Sequence, residues 1–106
     1  MTHITLREYH DNILLIAEGH SGYGSRGADI VCAGISTLIC ALINTLLDEE
    51  ASDRLRLVRK VIRDGYVCLE IKCFSFSYER INGIIDLFRT GLLMIGDSYP
   101  DSLIID

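Results

Sequence analysis

Three features of the sequence predict an α+β fold: a two-layer sandwich with a mainly antiparallel sheet and two helices packed on it. Short segments of alternating apolar and polar residues come in pairs joined by turn residues. Each pair is followed by a long segment with helical periodicity. The resulting strand–strand–helix order occurs twice. At 106 residues the chain suffices for one domain, residues 1–106, and not for two. With 49% hydrophobic residues, a core forms without metal or disulfide staples.

The first half opens with Thr2–Tyr9, where Ile4 and Leu6 alternate with Thr5 and Arg7, the pattern of a half-buried strand. His10-Asp11-Asn12 is a turn cluster, and the mostly apolar Ile13–Glu18 closes an antiparallel hairpin. Ser21–Gly27 holds Gly22, Gly24 and Gly27, too many for regular structure, and reads as a mobile loop that folds over a bound peptide. Asp29–Leu47 is apolar around most of its circumference, so this helix is expected to be central and covered on several sides. Asp48-Glu49-Glu50 is expected to end it in solvent, against the helix dipole.

The second half begins with Arg54–Arg63, turns at Asp64-Gly65 and returns along Tyr66–Cys73, whose buried face is Val67, Leu69, Ile71 and Cys73. Alternation slips at Leu57-Val58, the mark of a bulge. Glu79–Ile95 places Ile81, Ile84, Ile85, Phe88, Leu92 and Ile95 at helical spacing. Gly96 is the expected C-cap and Pro100 follows. The closing DSLIID supplies a short fifth strand.

The formal charge of −5 and pI near 5.0 argue against direct, charge-driven binding of nucleic acid and suit a basic partner. The polar start lacks a signal-type apolar core, so a cytoplasmic setting is expected. The run Ile30–Leu47 is broken by Ser36, Thr37, Asn44 and Thr45, and reads as a core helix with no membrane role. The cysteines Cys32, Cys40, Cys68 and Cys73 show no zinc-ligand spacing with each other or with the histidines, so no metal or other cofactor is expected and the thiols are free. Cys40, Cys68 and Cys73 lie in apolar patterns and read as core residues, with Cys40 among the slowest to be alkylated.

Cys32 differs by its neighbours in GHSGYGSRGADIVCAGIS, Gly19–Ser36. A helix starting near Asp29 puts Cys32 in the first turn, where free N–H groups and the helix dipole favour thiolate and could donate to an oxyanion. His20 follows the second strand, and the glycine loop lets the chain fold back so that imidazole meets sulfur. A nucleophile, a base and hydrogen-bond donors are what thiol proteolysis requires. Asp29 either orients the imidazole or only caps the helix. Plainer readings compete: Cys32 as a small core residue, His20 as a surface or capping group, and Ser21, Gly22, Tyr23, Gly24 and Gly27 as a tight connection rather than a substrate loop. His3 and His10 read as solvated surface residues.

The GH dipeptide, the glycine-rich loop and DIVCAGIS resemble the signature of the ribosomal-processing cysteine protease family, Prp. The strand–strand–helix order, the second hairpin, the ending FRTGLLMIGDSYPDSLIID and the length extend the resemblance over the whole chain. The resemblance implies that His20 and Cys32 are a catalytic pair, with Asp29 a third candidate. It implies removal of a short N-terminal extension from the precursor of large-subunit ribosomal protein L-twenty-seven, cut after paired phenylalanines, and a homodimer. An apolar recess for those phenylalanines is expected near Tyr23 and the buried faces of the helices. The alternatives are a non-catalytic ribosome-associated binding module, which has no need of an intact His–Cys pair, and a phage precursor-processing protease of the same fold.

Overall fold

The computed structural model describes residues 1–25 and 27–106; Arg26, inside the expected loop, lies outside the described residues. The elements run β1 (Thr2–Tyr9), β2 (Asn12–Glu18), α1 (Ile30–Ala51), β3 (Leu55–Arg63), β4 (Tyr66–Cys73), a 3-10 turn (Ser75–Ser77), α2 (Tyr78–Ser98) and β5 (Leu103–Ile105). They form one five-stranded sheet in the order β3-β4-β2-β1-β5. All pairings are antiparallel except β1 with β5, where the closing strand returns parallel to the first. The chain is therefore an α+β two-layer sandwich, as the sequence predicts.

Both helices lie on one side of the sheet. Rows of directly paired residues face them: Ile4–Ala17–Val67, Leu6–Leu15–Leu69 and Ile13–Ile71–Leu57. From the helix layer, α1 adds Val31, Ile35, Ile39, Leu42, Ile43 and Leu46, and α2 adds the stripe Ile81, Ile85, Phe88 and Leu92. The helices approach closely at Gly91, where a Cβ would come 3.0 Å from a Leu38 methyl, so that side chain would have to give way to any larger residue. Helix α1 is long and apolar enough by composition to cross a bilayer, but its buried stripe is seated on the sheet.

Two expected helix ends move. Helix α1 continues through Asp48-Glu49-Glu50 to Ala51, because Glu49 does not enter solvent. Its side chain is buried, Oε2 accepts from Arg54 Nη1 at 2.7 Å, and Oε1 accepts from Arg80 Nε of α2. Arg80 chiefly, then Arg54, holds its carboxyl below the ordinary glutamate range against the opposing effect of burial. Glu50 Oε2 accepts the Leu57 N–H at 2.7 Å, beside the bulge between Leu57 and Arg59. Helix α2 runs past Gly96, and Tyr99 caps it by donating its N–H to Ile95 O. Cys40 is exposed rather than core, whereas Cys68 and Cys73 are buried as expected. Burial, with Asp11 and Glu8 nearby, pushes the Cys73 thiol up.

Candidate active site

Three segments meet at one end of the sheet. Strand β2 ends at Glu18, and Gly19 turns the chain out of it with φ +88°; a Cβ there would lie 2.5 Å from the Met1 carbonyl oxygen. The Gly19 N–H donates to Gly65 O at 2.9 Å, tying the exit of β2 to the β3–β4 turn. The third segment is the start of α1, with Asp29 as N-cap and Cys32 in the first turn.

His20 stands between the other two segments. Its Nδ1 is 4.0 Å from Cys32 Sγ, and its Nε2 is 4.0 Å from Asp64 Oδ1. The thiol and the imidazole that the sequence predicts as a pair are thus brought together. Asp64 and Gly65, read from the sequence only as a hairpin turn, flank the ring. Gly65 has φ +71°, and a Cβ on it would come 3.2 Å from His20 Nε2. Nothing local in the sequence links residues 20 and 65. The link is the long-range register that pairs Glu18 with Tyr66.

The Asp29 carboxylate has a different set of partners. Oδ1 accepts from the N–H groups of Val31 and Cys32, each at 2.9 Å. Oδ2 accepts from Ser21 Oγ, from Tyr23 N at 3.0 Å and from Gly24 N at 3.1 Å. None of these bonds goes to His20. The Ser21 hydroxyl chiefly, with the Cys32, Gly24 and Val31 N–H groups adding, lowers its pKa from 3.8 to about 2, with burial opposing. Asp29 therefore caps the helix and gathers the first half of the glycine loop around itself. Ser21 is buried by this arrangement, at 2% exposure, and its N–H points at Cys32 Sγ, 3.5 Å away. Tyr23 packs edge-on against Tyr99, ring centroids 5.0 Å apart. Ser21, Tyr23 and Gly24 are more tightly anchored than the local composition suggests, because a single carboxylate replaces the missing apolar contacts. Gly22, Gly24 and Gly27 remain exposed around it.

The same bonds alter the electrostatics expected at the thiol. The Val31 and Cys32 N–H groups are occupied by Asp29, so they are not free donors for an oxyanion. The donor that faces the sulfur is the Ser21 N–H.

Cys32 lies between two recesses. One, of about 220 Å³, runs between α1 and the β3–β4 hairpin; Ala17, Ile35, Ile39, Ile43, Ile62 and Val67 give it an apolar lining, with His20 and Cys32 at its end. The other, of about 340 Å³, is lined by Gly22, Gly24, Gly27, Asp29, Ala33 and Ser36, again with His20 and Cys32. The apolar recess is thus on the hairpin side of α1, and Tyr23, expected near it, is not in its lining. Among the described residues no cluster of histidine, cysteine or carboxylate side chains could hold a metal ion.

The family model described as cysteine protease Prp matches residues 1–104. Among solved structures, the ribosomal processing protease Prp of S. aureus in complex with a covalently linked product peptide is 19% identical, with a TM-score of 0.79 over 100% of this chain and 98% of that one. The same S. aureus protease in complex with a substrate peptide is 18% identical, with a TM-score of 0.72 and the same coverage. The SMU.848 protein of Streptococcus mutans is 26% identical, with a TM-score of 0.71 over 100% of this chain and 92% of that one. No curated protein matches the chain.

Proposed function

The chain belongs to the Prp family of cysteine proteases, and we propose that it is an endopeptidase in which Cys32 is the nucleophile and His20 the general base. The observation that carries this reading is the approach of His20 Nδ1 to Cys32 Sγ at the end of an apolar recess. A 4.0 Å separation is long for proton transfer, and such contacts tighten when substrate is bound.

The chemistry follows from the contacts. His20 Nδ1 takes the thiol proton, and the Ser21 N–H stabilises the sulfur anion. The thiolate attacks the carbonyl carbon of the scissile bond. The carbon–nitrogen bond then breaks, the imidazolium returns its proton to the leaving amine, and a thioester to Cys32 remains. His20 next deprotonates a water, which hydrolyses the thioester and restores the thiol. Asp64 is the carboxylate placed to hold Nε2 protonated, which leaves Nδ1 free to accept. Asp29 acts one step removed, by holding Ser21 against the sulfur.

The substrate we propose is the precursor of a large-subunit ribosomal protein, L-twenty-seven, with a short N-terminal extension. The apolar recess beside Cys32 suits bulky apolar residues before the cut, and the glycine-lined recess suits a chain that must approach backbone closely. A cytoplasmic setting accords with the free thiols. For a homodimer we propose the outer face of the helices, where Leu87 and Met94 are 76% and 67% exposed beside a groove lined by Leu38, Ala41, Thr45 and Gly91. Light scattering of the wild type and of Leu87→Glu tests it, with a monomeric wild type contradicting it. The function is tested by mass spectrometry of the precursor after incubation with the protein. A new N-terminus after the apolar pair supports it, and an intact precursor contradicts it.

A further inference from the structure

The net charge of −5 conceals a segregation that only the folded chain reveals. Asp48 and Glu50 lie on α1, and Glu79, Asp86 and Asp97 lie on α2 against Arg80 and Arg89, of which Arg80 is spent on the buried Glu49. The sheet face turned away from the helices has the opposite sign. Partners directly across a ladder share a face, so Arg56 stands beside Lys72, and the row Arg59–Glu70–Leu14–Arg7 crosses four strands. A further row, Arg63–Tyr66–Glu18–His3, lies at the end nearest the site. Arg7, Arg56, Arg59, Arg63 and Lys72 are all exposed, against only Glu18 and Glu70 in the same rows.

The bulge has a part in this. Arg56 and Arg59 are an odd number of residues apart and would point to opposite faces of a regular strand. The irregularity between Leu57 and Arg59 shifts the register by one, so that Arg56, Arg59 and Arg63 share the open face while Leu57 keeps to the core. Two rings accompany the cations. Tyr9 is 49% exposed, and the Arg63 guanidinium lies 5.1 Å from the centroid of Tyr66.

We propose that this open sheet face binds single-stranded RNA, with the five cations on phosphates and the exposed Tyr9 ring available to an unpaired base. An open sheet surface with arginine and aromatic side chains offers both the charge and the stacking surface that unpaired RNA uses. A bilayer is the less suitable polyanion, because the exposed Leu87 and Met94 that would enter it lie on α2. The choice of RNA over DNA rests on the ribosomal substrate proposed above; the charge segregation does not. The net charge of −5 does not oppose this binding, because a polyanion samples the nearest face rather than the sum.

The test is fluorescence anisotropy of a labelled mixed-sequence RNA of about 16 nucleotides, titrated with the full chain at several salt concentrations. No peptide is present, so failure here is separate from failure of the protease reading. Binding should weaken with salt. In the triple variant Arg56→Ala, Arg59→Ala, Lys72→Ala the slope of log K against log[salt] should fall by about 2, roughly 0.7 per lost phosphate contact. Affinity at low salt should fall at least tenfold. The charge-retaining Arg56→Lys, Arg59→Lys variant should keep the slope, which guards against misfolding of the triple variant, and Arg89→Ala on α2 should change nothing. DNA of the same sequence should bind more weakly. No RNA binding by the wild type, binding indifferent to the triple variant, equal binding of DNA, or capture by anionic vesicles but not by RNA would each overturn the proposal.

Discussion

Helix α1 carries a buried carboxylate at each end, and the two are used differently. Asp29 at the N-terminal end accepts from a hydroxyl and four backbone N–H groups, all neutral. Glu49 near the C-terminal end accepts from two guanidiniums, of Arg54 and Arg80. Both are held below their ordinary pKa range, yet only Glu49 is neutralised. Glu49 fastens α1 to α2 and to the chain entering β3, an ordinary structural task. Asp29 keeps its negative charge at the N-cap, close to the Cys32 thiol that the proposed mechanism ionises. That arrangement makes sense if its role is to shape the loop around the thiol. The helix N-terminus does not serve the thiol as freely as its position suggests, since its first donors are already taken.

The contrast can be broken at either end. The largest effect expected is on activity at the N-terminal end: His20→Ala should lower peptide cleavage by about 10²–10⁴-fold, the usual worth of a positioned base, with the melting temperature little changed. Cleavage that survives would remove the base from the account. Asp64→Asn should also lower kcat, by about tenfold or more, with KM held, because the neighbour can no longer favour one imidazole tautomer. A change in KM alone would make Asp64 a substrate contact instead.

At the other end, Glu49→Gln should cost about 2 kcal/mol of stability, since two charge-assisted hydrogen bonds are weakened while both arginines can still reach water. Per molecule of folded protein, its cleavage rate should match the wild type. Asp29→Asn should do the reverse. Asparagine caps a helix about as well as aspartate, so the melting temperature at neutral pH should fall less than in Glu49→Gln. Tyr23 and Gly24 would lose their acceptor, however, and cleavage should drop severalfold. Equal activity would mean that Asp29 serves the cap alone.

Acid should separate the ends too. Each carboxyl titrates lower in the folded chain than in the unfolded one, so each contributes stability at neutral pH that is lost on acidification. For Asp29 the loss falls between the ordinary 3.8 and about 2. Hydrogen exchange at Tyr23 and Gly24 should rise over that window, and exchange that stays flat would contradict the anchoring. The smallest effect concerns the thiols. Iodoacetamide should label Cys32 first and the exposed Cys40 next, with buried Cys68 and Cys73 last.

Much of the fold is legible in the sequence because it rests on local patterns. The alternation in Thr2–Tyr9 and Tyr66–Cys73 gives strands with those bounds, and Asp64-Gly65 gives the hairpin. The helix end at Ala51 is not legible, because Glu49 is stabilised by Arg80, thirty-one residues away. The candidate site divides along the same line. His20, Asp29 and Cys32 fall within one short stretch and declare themselves. Asp64 and Gly65 join them only through the β2–β4 register, which a hydrophobic pattern does not specify for the turn beyond it. The recess on the hairpin side of α1 is hidden for the same reason. The basic sheet face is hidden by a one-residue bulge that composition cannot weigh.

The central claim is that Cys32 is the attacking atom. It is tested most directly by incubating a peptide that spans the precursor's N-terminal extension with the wild type and with Cys32→Ala, and weighing the products by mass spectrometry. Alanine keeps the helix start, so the variant should fold and bind the peptide. The account predicts two product masses with the wild type and only the intact peptide with the variant. Product masses from the Cys32→Ala protein would contradict it.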